Sequence, residues 1–219
     1  MASIDRAGYG RGFGYWRWKP AVISSAVANS SADFVLYLDA GCELNPSLSG
    51  SARFEEYLEM AAEHGVFLMR QESHADAWCK TEVLQQLGVP QSHASKVPML
   101  VAGALLVRVS RHPSIIDEWR ESSSVLDGLL FDDRWDPARQ SSAFQDHRHD
   151  QAVLSVLAHR GSLPTSPDET YFGGSWTGTA SKFPIWAMRN RHSFTMRPGT
   201  LTGKFVRLTQ RVKHGLARG

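Results

Sequence analysis

The sequence predicts a single α/β domain, a mainly parallel sheet of Rossmann-like type flanked by helices. Three observations lead there. Phe34-Val35-Leu36-Tyr37-Leu38 is an unbroken apolar run between Asp33 and Asp39-Ala40-Gly41, the pattern of a strand buried on both faces. Segments with apolar residues three and four apart alternate with such runs, an order that places helices over a sheet. With 219 residues, 42% hydrophobic and 21% charged, the chain has enough apolar material for one core and too little charge for disorder or a coiled coil.

Gly8, Gly10, Gly12 and Gly14 alternate with Tyr9, Arg11, Phe13 and Tyr15. That is too much glycine for a helix interior, so the segment is expected to be a loop. Pro20 suits a first helical turn and opens a helix over Ala21 to Ala28. After the first strand, Ala52, Phe54, Tyr57, Leu58, Ala61 and Ala62 form the apolar stripe of a helix that stops before Gly65. Val66 to Met69 reads as a second strand, Ala75 to Leu87 as a helix ended by Gly88, and Pro98 to Val109 as a long β-rich stretch interrupted by Gly103. Pro113 starts a helix carrying Ile115, Ile116 and Trp119. Residues 127–149 show no period. Asp150 precedes a helix over Gln151 to His159, closed by Gly161, and 162–180 reads as a mobile loop of acids and aromatics. The domain spans 1–200, and 201–219 is a basic amphipathic tail.

All 22 acidic residues lie at or before Glu169, while nine basic residues follow it, so a net charge of +2 hides an acidic body and a basic end. Leu201, Phe205, Leu208, Val212 and Leu216 share one helical stripe, with Lys204, Arg207 and Arg211 on other faces. Residues 201–218 therefore suit an anionic membrane surface, or else dock on their own domain. No nucleic-acid motif accompanies the charge, so nucleic acid is not an expected partner. No apolar run approaches the roughly 20 residues of a membrane span and no secretory signal is evident, which makes the cytoplasm the expected location, with peripheral contact at the inner membrane face. Cys42 and Cys79 lack metal-ligand or disulfide spacing and are expected reduced and buried.

Asp39 stands at the carboxyl end of a strand, where an α/β sheet presents ligand groups. A carboxylate there can hold a divalent cation against phosphate oxygens, with Glu43 as second ligand, or can cap a turn. Lys19, just before a helix, can reach a diphosphate or remain a solvated surface lysine. Trp16 and Trp18 face one side of an extended segment, walling a sugar or nucleotide pocket or packing in the core. Gly103 marks either a close ligand approach or a plain bulge. In His147-Arg148-His149-Asp150-Gln151 the acid is a helix cap, a ligand, or both, and the histidines are an alternative metal pair.

Three blocks in order, Gly12-Phe13-Gly14-Tyr15-Trp16-Arg17-Trp18-Lys19-Pro20, Tyr37-Leu38-Asp39-Ala40-Gly41-Cys42-Glu43 and His147-Arg148-His149-Asp150-Gln151, resemble glycosyltransferases of the GT-A fold, in particular bacterial capsule and lipopolysaccharide enzymes. The resemblance covers about residues 10 to 160. It implies transfer of a sugar from a nucleotide-diphosphate sugar to a glycan or lipid-linked acceptor. Asp39 matches the first acid of the family's Asp-x-Asp pattern, and Gly41 stands at the second, leaving Glu43 beside Asp39 as ligands of Mn2+ or Mg2+. Lys19, Trp16, Trp18 and Tyr37 are implied to surround the donor, as are Gly103, Arg148, His149 and Gln151, with His149 or Arg148 facing the phosphates. Asp150 and Asp39 are implied as catalytic. The fold also has an opening strand some tens of residues before the first block, whereas nine residues precede Gly10, so the sheet is expected to show an exposed apolar edge. A catalytically inactive, glycan-binding or scaffold fragment of the same fold is the alternative.

Overall fold

The computed structural model describes residues 11–172 and 178–188. In chain order its elements begin with α1 (Gly12–Tyr15), α2 (Trp18–Asn29), β1 (Phe34–Leu38), β2 (Cys42–Leu44), α3 (Leu48–His64), β3 (Val66–Phe67) and β4 (Met69–His74). They continue with α4 (Ala75–Trp78), α5 (Thr81–Gln86), β5 (Pro98–Leu100), β6 (Ala104–Arg108), α6 (Ile115–Ser122), α7 (His149–Arg160), β7 (Ser166–Pro167) and β8 (Ile185–Ala187).

The core is organised by β6, whose side chains are apolar in both directions. Leu105 and Val107 enter one buried cluster and Ala104 and Leu106 the other. The first cluster is closed by α2, α6 and α7 through residues such as Ile23, Trp119 and Leu154, the second by α3 through Phe54, Tyr57 and Leu58. Helices thus cover both faces of the sheet β1-β6-β3, giving the expected mixed α/β class.

The expectation of a mainly parallel sheet is not what the described pairings form. β6 is antiparallel to β1 and to β3, β2 to β8 and β4 to β5, leaving β4 with β7 as the parallel pair. A short apolar run states that a strand is covered on both sides but carries no direction, so sequence periodicity was silent on this point. β1 illustrates the same limit. Val35 and Tyr37 pack on one cluster and Phe34, Leu36 and Leu38 on the other, yet all five are only half-buried, because β1 lies at the edge of its sheet.

Several boundaries shift for identifiable reasons. α2 begins at Trp18, with Pro20 in its first turn, where the missing N–H has no helical partner. Ser47 caps α3, its hydroxyl accepting from the Gly50 N–H at 3.1 Å, so that helix starts before the apolar stripe. The strand expected at 66–69 divides at Leu68 into β3 and β4, which belong to different sheets. The helix expected over 75–87 breaks at Cys79 and Lys80. There the fully buried Lys80 ammonium donates to the carbonyls of Asp132 (2.6 Å) and Arg134 (3.0 Å) and to the Asp132 carboxylate (3.2 Å), which fixes the aperiodic stretch after α6. Of the cysteines, Cys79 is buried and Cys42 half-buried, and neither is in a disulfide.

The described part of the loop expected at 162–180 is pinned. Glu169 accepts a two-pronged contact from Arg53 at 2.9 and 2.7 Å and a hydrogen bond from the Tyr57 hydroxyl at 2.6 Å. The basic tail at 201–219 lies outside the described residues.

Instead of the expected loop, Gly12 through Trp16 form one left-handed turn, with φ of 58°, 53°, 88°, 57° and 57°. Glycine tolerates this region, whereas Phe13, Tyr15 and Trp16 each cost roughly 1–2 kcal/mol there. The indole N–H of Trp18 returns to the Gly12 carbonyl at 3.1 Å and closes the turn.

Gly65 ends α3 at φ 83°, and a Cβ there would fall on the Arg111 carbonyl oxygen. Gly65→Ala is expected to destabilise the fold by more than about 2 kcal/mol in urea titration, from the left-handed backbone and the clash together.

Candidate functional site

The first turn of α2, the end of β1 and the first turn of α7 meet at one point. Lys19, Asp39 and Asp150 come from these three places. Lys19 Nζ lies 2.7 Å from Asp150 Oδ2 and 3.2 Å from Asp39 Oδ1, and donates to the Ala102 carbonyl at 3.3 Å. The lysine is 3% exposed and Asp150 6%, while the Asp39 side chain is 44% exposed. Lys19 is thus no solvated surface lysine: it is a buried cation shared by one buried and one accessible carboxylate.

Each partner is held from behind. The Tyr37 hydroxyl donates to Asp39 Oδ1 at 2.7 Å, and burial next to that carboxylate pushes the phenol's pKa up, which keeps it a donor. The Asp39 N–H donates to the Gly103 carbonyl at 2.8 Å, and a Cβ on Gly103 would stand 2.8 Å from Asp39 Oδ2. Glycine at 103 is therefore what lets the carboxylate lie flat against the neighbouring backbone. The Trp119 indole N–H donates to the Asp150 carbonyl at 3.1 Å and fixes the start of α7. Burial raises the Asp150 pKa to about 6, Lys19 pulling it down and Asp39 pushing it up.

His149 adopts φ 47° and packs its ring 5.2 Å from Tyr15 and 5.5 Å from Trp16, so the left-handed turn serves as its wall. Its Nδ1 sits 2.7 Å from the Phe131 carbonyl, which places the proton on Nδ1 and leaves Nε2 as an acceptor with no hydrogen-bond partner among the described residues. Burial lowers the His149 pKa. A neutral acceptor nitrogen does not attract phosphate, so of the two residues expected to face phosphates the charge resides on Arg148, whose guanidinium stacks 4.0 Å over Trp78. His147 is spent on the Leu130 carbonyl (2.9 Å) and the Lys80 N–H (3.5 Å), and burial lowers its pKa strongly. Because both ring nitrogens of His147 are engaged, the alternative of a His147–His149 metal pair is not supported.

A cavity of about 730 Å³ opens over this cluster, within the range of small-molecule sites. Asp39, Lys19, Trp16, Gly103, Arg148, His149, Asp150 and Gln151 all line it. Trp18, Tyr37 and Glu43 do not: Trp18 braces the left-handed turn, Tyr37 supports Asp39 from behind, and Glu43 pairs in β2 opposite Trp186. The sequence reading did not single out Arg11 or Gln71, and placed Asp168 and Tyr171 only within a loop that could cover the acceptor. Gln71 receives the Gln151 amide at 2.8 Å, and only the alternating burial of β4 hints at it. Asp168 accepts from the N–H and hydroxyl of Thr170 and shapes the far wall.

The residues present do not fit a divalent cation held jointly by Asp39 and Glu43, because Glu43 is not at the cavity and the Lys19 ammonium already sits against the Asp39 oxygen.

Asp150 binds its proton more tightly in the folded protein than in the unfolded chain, so its ionisation lowers stability as pH rises from about 4 through about 6. Removing Lys19 deepens that penalty. Lys19→Met is expected to cost about 3 kcal/mol or more in urea melts at pH 8, and distinctly less at pH 5, where Asp150 takes up a proton. A loss that does not change between pH 5 and pH 8 contradicts the pairing.

Comparison with protein-family models, with curated proteins and with solved structures finds no match to this chain.

Proposed function

We propose that the protein is a glycosyltransferase that moves a sugar from a nucleoside-diphosphate donor to a glycan or lipid-linked acceptor. One observation carries this reading. Three sequence blocks separated by up to about 130 residues, singled out for their joint resemblance to GT-A enzymes, contribute Lys19, Asp39 and Asp150 to a single contact cluster at the floor of one cavity.

In this reading the acceptor oxygen forms the new bond to the anomeric carbon as the bond from that carbon to the β-phosphate oxygen breaks. The departing diphosphate keeps the electron pair. Arg11 and Arg148 line the cavity and supply positive charge toward the diphosphate. The half-exposed Asp39 carboxylate accepts hydrogen bonds from donor-sugar hydroxyls. Asp150, poised near pH 6, orients the reacting sugar or takes the acceptor proton, a pKa suited to work close to neutrality. No step runs through a metal. The basic segment at 201–218 supports work on a lipid-linked acceptor at an anionic inner membrane face. Among the described residues no helix is long and apolar enough to cross a membrane.

A second reading rests on a separate observation. β1, which Asp39 follows, forms a sheet edge among the described residues, and this favours a glycan-binding module.

A melting-temperature panel with UDP, GDP, CMP and their sugars separates the two. One nucleotide at 100 times its dissociation constant is expected to stabilise the protein by about 2.7 kcal/mol. Asp39→Asn is expected to keep the fold and reduce transfer by at least about 100-fold. Undiminished turnover in that variant, or no shift with any nucleotide in a cooperatively melting protein, refutes the transferase reading.

A further inference from the structure

We infer that the site is built to work without a divalent metal, the Lys19 ammonium standing as a fixed cation between the two acidic residues where an exchangeable ion would otherwise bind. The inference rests on the transferase reading for its chemistry but on geometry for its substance. Nζ lies 2.7 Å from Asp150 Oδ2 and 3.2 Å from Asp39 Oδ1, so it occupies the space between the carboxylates. Hard cations of the magnesium and manganese class sit at about 2.0–2.2 Å from their oxygens and are commonly held by one or two carboxylates together with substrate phosphates and water. An ion drawn to both carboxylates would have to displace a lysine that is 3% exposed, or share their charge with it at close range.

The lysine is not free to swing away. Its stem rises from the first turn of α2, which packs through Ile23 and Val27 into the core, and its ammonium also donates to the Ala102 carbonyl while pairing with both carboxylates. The ammonium further lies 5.6 Å from the centre of the Tyr37 ring. The second carboxylate expected beside Asp39 is absent from the cavity as well, since Glu43 does not line it and position 41 is glycine. Lys19 thereby takes the neutralising role for Asp39 and Asp150, while Arg11 and Arg148 face the same cavity with the positive charge a diphosphate requires. In the transfer step no bond is made to Lys19.

Two measurements decide this. Mn2+ alone is titrated into the protein at neutral pH and the free-ion signal followed by electron paramagnetic resonance. Separately, the dissociation constants of UDP, GDP and CMP are measured calorimetrically in EDTA and in Mn2+. The expected result is no stoichiometric loss of the Mn2+ signal, and a nucleotide affinity in EDTA within about threefold of that in Mn2+. Uptake of about one Mn2+ per chain that disappears in Asp39→Asn overturns the inference, and so does nucleotide binding that vanishes in EDTA. If no nucleotide binds in either buffer, the transferase reading fails by itself, and the Mn2+ titration still decides whether Lys19 has taken the cation's place.

Discussion

The buried charge of Lys19 is the constraint on which the rest of the site depends. It joins α2, the end of β1, the turn before β6 and the start of α7 at one point, through Asp39, the Ala102 carbonyl and Asp150. Taking an ammonium out of water is costly unless each of its donors is met, and removing one partner of a buried pair leaves the other uncompensated. The arrangement therefore tolerates little displacement of any of these four segments. Such rigidity suits a site that must hold reacting groups in register, because errors of an ångström in position are expensive in rate.

A second layer of support explains why unusual backbone is stable around the cavity. The left-handed turn at Gly12 through Trp16 and the positive φ of His149 are unfavourable locally, yet they lock together through ring contacts between Tyr15, Trp16 and His149. Behind His149, the carbonyls of Leu130 and Phe131 hold both histidine rings, and Lys80 fixes the Asp132 to Arg134 backbone that presents those carbonyls. Strain concentrated beside a cavity and sustained by its packed surround is a recurrent property of functional sites. On the opposite wall, the contact of Glu169 with Arg53 and Tyr57 holds Asp168 and Thr170 in place on a segment with little regular structure of its own.

The sheet sets the direction in which these groups converge. β6 is the buried centre, and its antiparallel run beside β1 brings Gly103 opposite Asp39. A side chain at 103 would press on the Asp39 carboxylate, so glycine there reflects packing of two backbones as much as any ligand. This joins the two readings open for Gly103 from the sequence: the close approach is real, and what approaches first is a carboxylate of the protein itself.

Much of the site was legible in residue order. The position of Asp39 after an apolar strand, the helix start around Lys19 and Pro20, and the glycine ends of α3 and α7 all follow from local preferences that act over three to five residues, whereas Asp150, expected to cap its helix, lies inside the first turn of α7 behind Arg148. The mixed α/β class follows from alternating periodicities. What only the tertiary structure decided is set by contacts across long separations. Strand direction, the break between α4 and α5 at Lys80, the neutral state of His149 and the exclusion of Glu43 from the cavity depend on which distant groups are brought near. The placement of Lys19 between two aspartates is the clearest case. A lysine before a helix is by default a solvated cation, and it becomes a buried strut only because Asp39, 20 positions on, and Asp150, 131 positions on, arrive within 3.2 and 2.7 Å of it. Local propensity cannot encode that encounter. The burial of two helices against one sheet does.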